Sequence, residues 1–532
     1  MPGPGPIPGM PLRGGVEPTR AAPTSPGDLS EERATAADAG EVRYASARGR
    51  TILLATVLGS GMAFLDATVV NVALPSIGED LDAGLSGLQW TVNGYALTLA
   101  GLLLIGGSLG DHFGRRKVFV IGVAWFSVAS LLCAVAPTIE LLIAARAIQG
   151  VGAALLTPGS LALIEASFLR DDRGAAIGSW SGLAGITTAF GPFLGGWLIE
   201  AASWRLIFLI NLPLAAVVLW AARAIPESSD PAAQGKRLDL AGAAFTAIGL
   251  AGVTYALTEG PQGGWTEPAT LVLGVGGVAC LGAFLAVEAR GSHPMVPLSM
   301  FRSRLFAAAN AMTFVVYGAL GAAFFLLPIQ LQQVVGYTPL QAGSALIPMT
   351  IVMLLLSKRA GRLAQRIGPR LPMGLGPIVA GAGLALLVRV GEGADYVADV
   401  LPGVLVFALG MSITVAPLNV TVLSSAGRGR AGVASAVNNA VARVAGLLAV
   451  AIIPVAAGIS GDDYLVPSAF DDGFRIGILL CAGLCFAGGL LALATVRSPA
   501  EPEPPAFETP TFSCLNGPPP EVPAETVAAA GG

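Results

Sequence analysis

Gly107-Ser108-Leu109-Gly110-Asp111-His112-Phe113-Gly114-Arg115-Arg116-Lys117 packs one acid and three strong bases into its last seven residues, and it sits between two long apolar runs. Shifted by 254 residues, part of the pattern returns. Gly107, Leu109, Gly114 and Arg116 reappear as Gly361, Leu363, Gly368 and Arg370, with Arg366 where His112 stood. One charged loop present twice, each time between hydrophobic segments, implies two structural halves related by duplication.

The composition around this loop sets the class. The chain has 532 residues, 54% hydrophobic and 12% charged, with 70 glycines. A soluble protein of this length needs far more charge to cover its surface, so the chain reads as an all-α integral membrane protein. The net charge of −4 says little, because placement matters more than the sum in a membrane. The five cysteines, Cys133, Cys280, Cys481, Cys485 and Cys514, show no metal spacing and read as packing residues without disulfides. Two histidines, His112 and His293, are too few and too far apart for zinc. No metal and no cofactor are expected.

Outward from the loop, fourteen runs reach about the ~20 residues that a helix needs to cross the hydrocarbon core. They fall at 51–75, 88–110, 117–136, 138–162, 175–199, 205–223, 238–257, 269–289, 305–331, 340–358, 371–390, 397–421, 434–458 and 474–496, and are numbered α1–α14 below. The spacing predicts a six-helix half over 50–225, two inserted helices over 236–290 and a second six-helix half over 303–496. Residues 1–42 and 497–532 lack apolar periodicity and are expected to be disordered cytoplasmic tails. The first apolar run begins at Thr51 and is long enough to span, which excludes a secretory signal peptide.

Basic residues give the orientation. With the N-terminus in the cytoplasm, 22 Lys and Arg fall in cytoplasmic segments and only Arg205, Arg389 and Arg475 fall outside. The outer loops are acidic, with Glu79, Asp80 and Asp82 first and Asp462, Asp463, Asp471 and Asp472 last. Both termini are therefore expected in the cytoplasm, in the plasma (inner) membrane of a bacterium.

The loop itself, Gly-x3-Asp-x2-Gly-Arg-Arg-Lys, resembles the signature between helices 2 and 3 of the major facilitator superfamily. Three further stretches resemble its fourteen-span drug:proton antiporter branch. Leu65-Asp66-Ala67-Thr68-Val69-Val70-Asn71-Val72-Ala73-Leu74-Pro75 looks like the first-helix signature, and Arg146-Ala147-Ile148-Gln149-Gly150-Val151-Gly152 resembles the intramembrane arginine motif. In α5, Gly178, Gly191, Pro192, Gly195 and Gly196 are similar to the motif that marks exporters, with Thr187 in place of its central glycine. Asn438, Asn439 and Arg443 in α13 also look like that branch. The resemblance implies the major facilitator fold and a cytoplasmic latch made of Gly107, Asp111, Gly114, Arg115, Arg116 and Lys117. The start of α13, near Arg430 and Gly432, is the partner it suggests for Asp111. It further implies a proton-coupled antiporter exporting drugs or amphiphilic metabolites, antibiotic resistance among its consequences. The alternative is a uniporter or symporter importing a small nutrient; a non-transporting scaffold or receptor ranks below both.

Depth arguments single out individual residues. Asp66 lies 16 residues past Arg50, or ~24 Å along a helix, and so inside the hydrocarbon. Arg146 enters from the other side to a similar depth. An unpaired charge there costs ~2.5–3.5 kcal/mol or more, so Asp66 and Arg146 are expected to form either a structural ion pair or a proton-coupling site. Glu165 and Glu288 fall near helix ends, which leaves Asp66 as the deep carboxylate against Arg146 and Arg443. That balance predicts a bulky, neutral or weakly anionic amphiphile, with Trp90, Tyr95, Phe314, Tyr317, Phe324 and Phe407 as candidate stacking surfaces. The role of Arg443 stays open. No paired carboxylates, His–Cys sets or phosphate loops are present, so an enzyme is not expected, and no Walker sequence points to ATP. The expected partners are the bilayer, a small molecule and protons, with no nucleic acid and no second subunit.

Overall fold

The computed structural model describes residues 41–230, 238–291, 294–425, 430–461 and 463–496. Both predicted tails lie outside these residues, apart from Glu41 and Val42. Fourteen helices are long and apolar enough to cross a membrane. They run Ala47–Leu81 (α1), Leu85–Phe113 (α2), Arg115–Ala134 (α3), Ile139–Ser167 (α4), Arg173–Ala201 (α5), Leu206–Ala224 (α6), Leu240–Pro261 (α7) and Pro268–Arg290 (α8). The second series is Arg304–Val334 (α9), Pro339–Ile367 (α10), Arg370–Arg389 (α11), Tyr396–Ser425 (α12), Gly432–Ala456 (α13) and Pro467–Thr495 (α14). Each predicted span overlaps one of them. The largest differences are extensions at the end of α1, the end of α10 and the start of α14. The α10 extension carries Lys358, Arg359, Arg362 and Arg366, long side chains that favour helix and reach beyond the apolar layer.

Because the number of spans is even, the start of α1 and the end of α14 share one end of the bundle, here the tail end; the opposite end is the far end. Capping sets several helix starts. Ser46 accepts from Gly49 N at α1, Thr138 from Leu141 N at α4, and Thr338 forms a capping box with Gln341 at α10. The two copies of the charged loop share one backbone device. Gly114 and Gly368, 254 residues apart, both have positive φ (106° and 80°), a region that favours glycine, and each hands one helix directly to the next. The duplication read from sequence is thus also a duplication of backbone conformation.

One apolar cluster is built within α1–α6, around Phe119, Phe126 and Phe168. A larger one fills α9–α14 and takes in the far-end parts of α1, α4 and α6, including Leu74, Leu142 and Phe208. The helix groups α1–α6 and α9–α14 are therefore joined at the far end. Hydrogen bonds between described residues of the two groups lie there too. Gln89 Nε2 donates to Val450 O (2.8 Å), Gln332 Nε2 to Val72 O (2.9 Å), Leu85 N to Gly461 O (3.1 Å), and the Tyr464 hydroxyl to Ala83 O.

The tail-end halves of α5 and α10 differ. Leu183, Ile186, Leu354 and Leu355 are exposed there, and a side chain added at Gly178, Gly182 or Gly185 would meet nothing within 4 Å. Toward the far end the same two helices touch backbone to backbone. A Cβ on Gly196 would strike Pro339 O, and one on Gly343 would strike Pro192 O. The seam between the two groups is closed at one end and open at the other.

The remaining helices, α7 and α8, pack on the outside. Gly249 and Gly252 of α7 meet Gly277 of α8, while α8 is mostly exposed. Helix α7 lies on α2, with Gly101 against Ala247. Leu250 joins Ala100 of α2 and Leu447 of α13 in one cluster, so α7 covers the groove where those two helices meet.

Candidate functional site

Asp66 stands at the middle of α1 and Arg146 about a quarter of the way along α4, with side chains 0% and 1% exposed. The structure brings them together as an ion pair, Arg146 Nη1 on Asp66 Oδ2. Two buried charges are tolerated only when further donors and acceptors are also met, and here several are. Arg146 Nε donates to Thr91 O (3.1 Å), and Nη1 also reaches Gln149 Oε1. Gln149 Nε2 donates to Asp66 Oδ1 (2.8 Å) and to Ser130 Oγ (2.9 Å), which Asn211 Nδ2 approaches at 3.3 Å. The guanidinium lies 4.4 Å from the Tyr95 ring centroid and 5.6 Å from that of Phe208, both favourable cation–π placements. Five helices, α1, α2, α3, α4 and α6, are thus tied into one network that contains the carboxylate.

Sequence reading found the two charges and missed the network. Gln149 lay within the quoted arginine motif, three residues from Arg146 and hence on the same helix face, a signal that was available. Ser130 and Asn211 carried none, since single neutral polar residues are common in membrane helices.

The charged loop is positioned from within its own group. Asp111 Oδ1 pairs with Arg115 (2.8 Å to Nη2, 2.9 Å to Nε), not with Arg430. Arg115 N donates to Ser228 O (2.8 Å), and Glu227 Oε1 accepts from Arg116 N (3.1 Å), capping α3. The segment after α6 is therefore the loop's dock. A side chain on Gly432, the neighbourhood suggested for Asp111, would meet nothing within 4 Å.

In α5 the predicted motif divides. Gly191 and Gly195 pack on Thr68 and Val69 of α1, and Gly196 and Pro192 meet α10. Gly178 is apart from them at the bare tail end. Helix α5 runs unbroken through Pro192.

The predicted aromatic surfaces do not share one cavity. Tyr95 is buried beneath Arg146 and donates its hydroxyl to Ala63 O (3.2 Å). Phe324 and Phe407 meet edge to face at 6.3 Å and line a small apolar recess within α9–α12. Phe314 is exposed, and Tyr317 is half-buried against the second cluster. Trp90 turns outward to the inserted helix: its Nε1 donates to Glu259 (2.7 Å), and its ring stacks near Tyr255 at 6.3 Å. Ser86 joins the same carboxylate at 2.9 Å. Trp90 is a docking residue for α7, because α2 presents that face to a helix whose placement the sequence does not disclose.

The sequence profile described as Major Facilitator Superfamily matches residues 56–450, most of the chain. The chain belongs to the major facilitator superfamily. It is 36% identical over 403 residues to the multidrug resistance protein Stp of Mycobacterium tuberculosis, covering 75% of this chain and 74% of that one. It is 35% identical to the methylenomycin A resistance protein of Streptomyces coelicolor (84% and 92% covered) and 34% identical to the puromycin resistance protein pur8 of Streptomyces alboniger (84% and 90%). Among solved structures, the xylose transporter XylE of E. coli, in a partially occluded inward open conformation, superposes with a TM-score of 0.57 at 15% identity, covering 84% of this chain and 99% of that one. A bacterial homologue of the human lysosomal transporter Spinster, in an inward-facing conformation, gives 0.58 at 18% (86% and 100%). The fold is therefore that of a major facilitator transporter, two six-helix halves with α7 and α8 inserted between them, embedded in a membrane as a multi-pass protein.

Proposed function

We propose that this transporter exports amphiphilic small molecules in exchange for protons, by alternating access between halves spanning 50–225 and 303–496. The observation that carries the reading is the buried Asp66 carboxylate, held by Arg146 and Gln149 in a wall of the N-terminal half. The resistance proteins among the relatives support export of drugs or antibiotics as its direction. The excess of basic residues at the tail end supports a cytoplasmic placement of both termini, in the inner membrane. With that orientation the seam open at the tail end faces inward.

Charge balance then orders the cycle. In the inward-open state the Asp66–Arg146 pair leaves the N-terminal wall without net charge as an amphiphilic substrate enters. Rocking opens the far end, where the outside medium delivers a proton to Asp66. A neutral carboxyl gives up its Coulomb attraction to Arg146, which loosens α1 from α4 and favours return. Latch residues Gly107, Asp111, Gly114, Arg115, Arg116 and Lys117 serve the opposite state in this scheme, exchanging the Asp111–Arg115 pair for contacts across the closed tail end. At the far end Pro192 and Gly196 keep the seam sealed against α10, while Gly191 and Gly195 hold α5 on α1. The unit of transport is one chain.

The test is uptake of a fluorescent amphiphile into inside-out vesicles with an imposed pH gradient. Uptake should follow the gradient in the native protein and disappear with Asp66→Asn. Uptake indifferent to the gradient, and equal in the two proteins, would overturn the coupling.

A further inference from the structure

Helix α13 carries a second deep charge that the coupling network does not use. Arg443 lies near the middle of Gly432–Ala456 and is half-buried. Among the described residues it has no carboxylate partner and no hydrogen-bond acceptor; its guanidinium lies over the Phe64 ring, 5.9 Å from carbon to centroid. Phe64 belongs to α1 in the opposite half, two residues before Asp66. Arg443 therefore faces across the seam at the depth of the coupling site. Ala440, one turn earlier, packs against the N-terminal cluster, which fixes that side of α13 toward the other half. The Arg443 charge is also felt at Tyr95 of α2 and Tyr317 of α9, one from each half.

A lone arginine at this depth costs ~2.5–3.5 kcal/mol or more when it has no partner. Asp66 does not serve: its oxygens are held by Arg146 and Gln149, and Arg443 makes no ion pair with it. Asn439 is four residues from Arg443 and so on the same helix face. Like Arg443 it is half-buried and has no hydrogen-bond partner among the described residues. A guanidinium with an amide one turn away is a donor array suited to a planar anionic oxygen pair.

We propose that Arg443, with Asn439, is the recognition site for an anionic group of the exported molecule, a carboxylate or an enolate on an aromatic or alicyclic body. Phe64 and Tyr317 would hold that body while the charge meets Arg443. The assignment rests on the transport reading above and sharpens its substrate class. It places the anion site in the C-terminal half and the proton site in the N-terminal half, on facing walls.

The experiment compares pyrenebutyrate with its methyl ester, two ligands of one shape that differ in one charge. Binding to the purified protein in detergent is read from tryptophan quenching. The native protein should prefer the carboxylate by tenfold or more, and Arg443→Gln should remove that preference while leaving ester affinity unchanged. Arg443→Lys should keep part of it, since the charge remains and the planar fork is lost. Should the glutamine variant aggregate, Asn439→Ala carries the comparison and should weaken the carboxylate several-fold with the ester unaffected. Equal binding of the two ligands by the native protein, or equal loss of both in a folded variant, would overturn the proposal. Gradient-driven uptake of the ester in proteoliposomes is read separately. Its absence in the native protein removes antiport without touching the binding result.

Discussion

Removing Arg146 and removing Asp66 are not equivalent. Without Asp66, Arg146 still donates to Thr91 O and Gln149 and still lies over Tyr95 and Phe208. Without Arg146, Asp66 keeps Gln149 alone. Losing one partner of a buried pair costs about 3–5 kcal/mol, so Arg146→Met should lower the melting temperature in detergent well below that of Asp66→Asn. Adding Asp66→Asn to Arg146→Met should recover part of the loss, because no charge is then stranded. A double variant no more stable than Arg146→Met would show that packing, not charge, dominates the site. Gln149→Ala should slow gradient-driven transport while binding persists, since it frees Asp66 Oδ1 without breaking the ion pair. At this scale the charges were legible because a charge inside an apolar run stands out. Trp90 was misplaced because polar neighbours on every side of it, Gln89, Thr91 and Asn93, give no signal of which way it turns.

Helix α5 presents one continuous line of small residues toward α10: Gly178, Gly182, Gly185, Pro192 and Gly196, at steps compatible with one helix face. Its far-end members are engaged with α10 and its tail-end members are bare. The line is the length over which the seam can close from either side. Gly343→Leu cannot fit against Pro192 O, so it should hold the far end apart. Maleimide labelling of a Gly182→Cys reporter from the tail side, in a background without other reactive cysteines, should then fall several-fold. Gly185→Leu should act oppositely: it costs nothing in the state described and hinders closure at the tail end, so reporter labelling should persist while transport stops. Helix existence was readable from span length alone, but not this division. Residues 340–358 read as the core of α10, and only its packing shows that its first turns are buried against α5 while the charged last turns are free.

For the whole molecule, orientation is open to a direct check. A fluorescent protein fused after residue 532 should fluoresce and alkaline phosphatase at the same place should stay inactive; the reverse would invert the membrane placement and with it the direction of transport. Glu259 offers a separate test of assembly. Its carboxylate satisfies both Trp90 Nε1 and Ser86 Oγ, and leaving partly buried donors without an acceptor costs ~1–3 kcal/mol. Glu259→Ala should accordingly lower thermal stability and loosen α7 from α2, measurable as new protease or labelling sensitivity in the inserted helices. The duplication was legible because glycine and arginine spacing survive in both copies. The seat of the inserted pair was not, because two apolar helices of ordinary composition can lie anywhere around a bundle.

That seat makes the two flanks of the seam unequal. The α2–α13 flank is roofed by α7, whereas among the described residues no helix lies over the bare half of the α5–α10 flank. A molecule dissolved among the acyl chains thus meets a covered flank on one side and an uncovered window on the other. Loading from the lipid leaflet would be one-sided. The width of that window, rather than the volume of the interior, would set how large a lipophilic cargo can be taken directly from the bilayer.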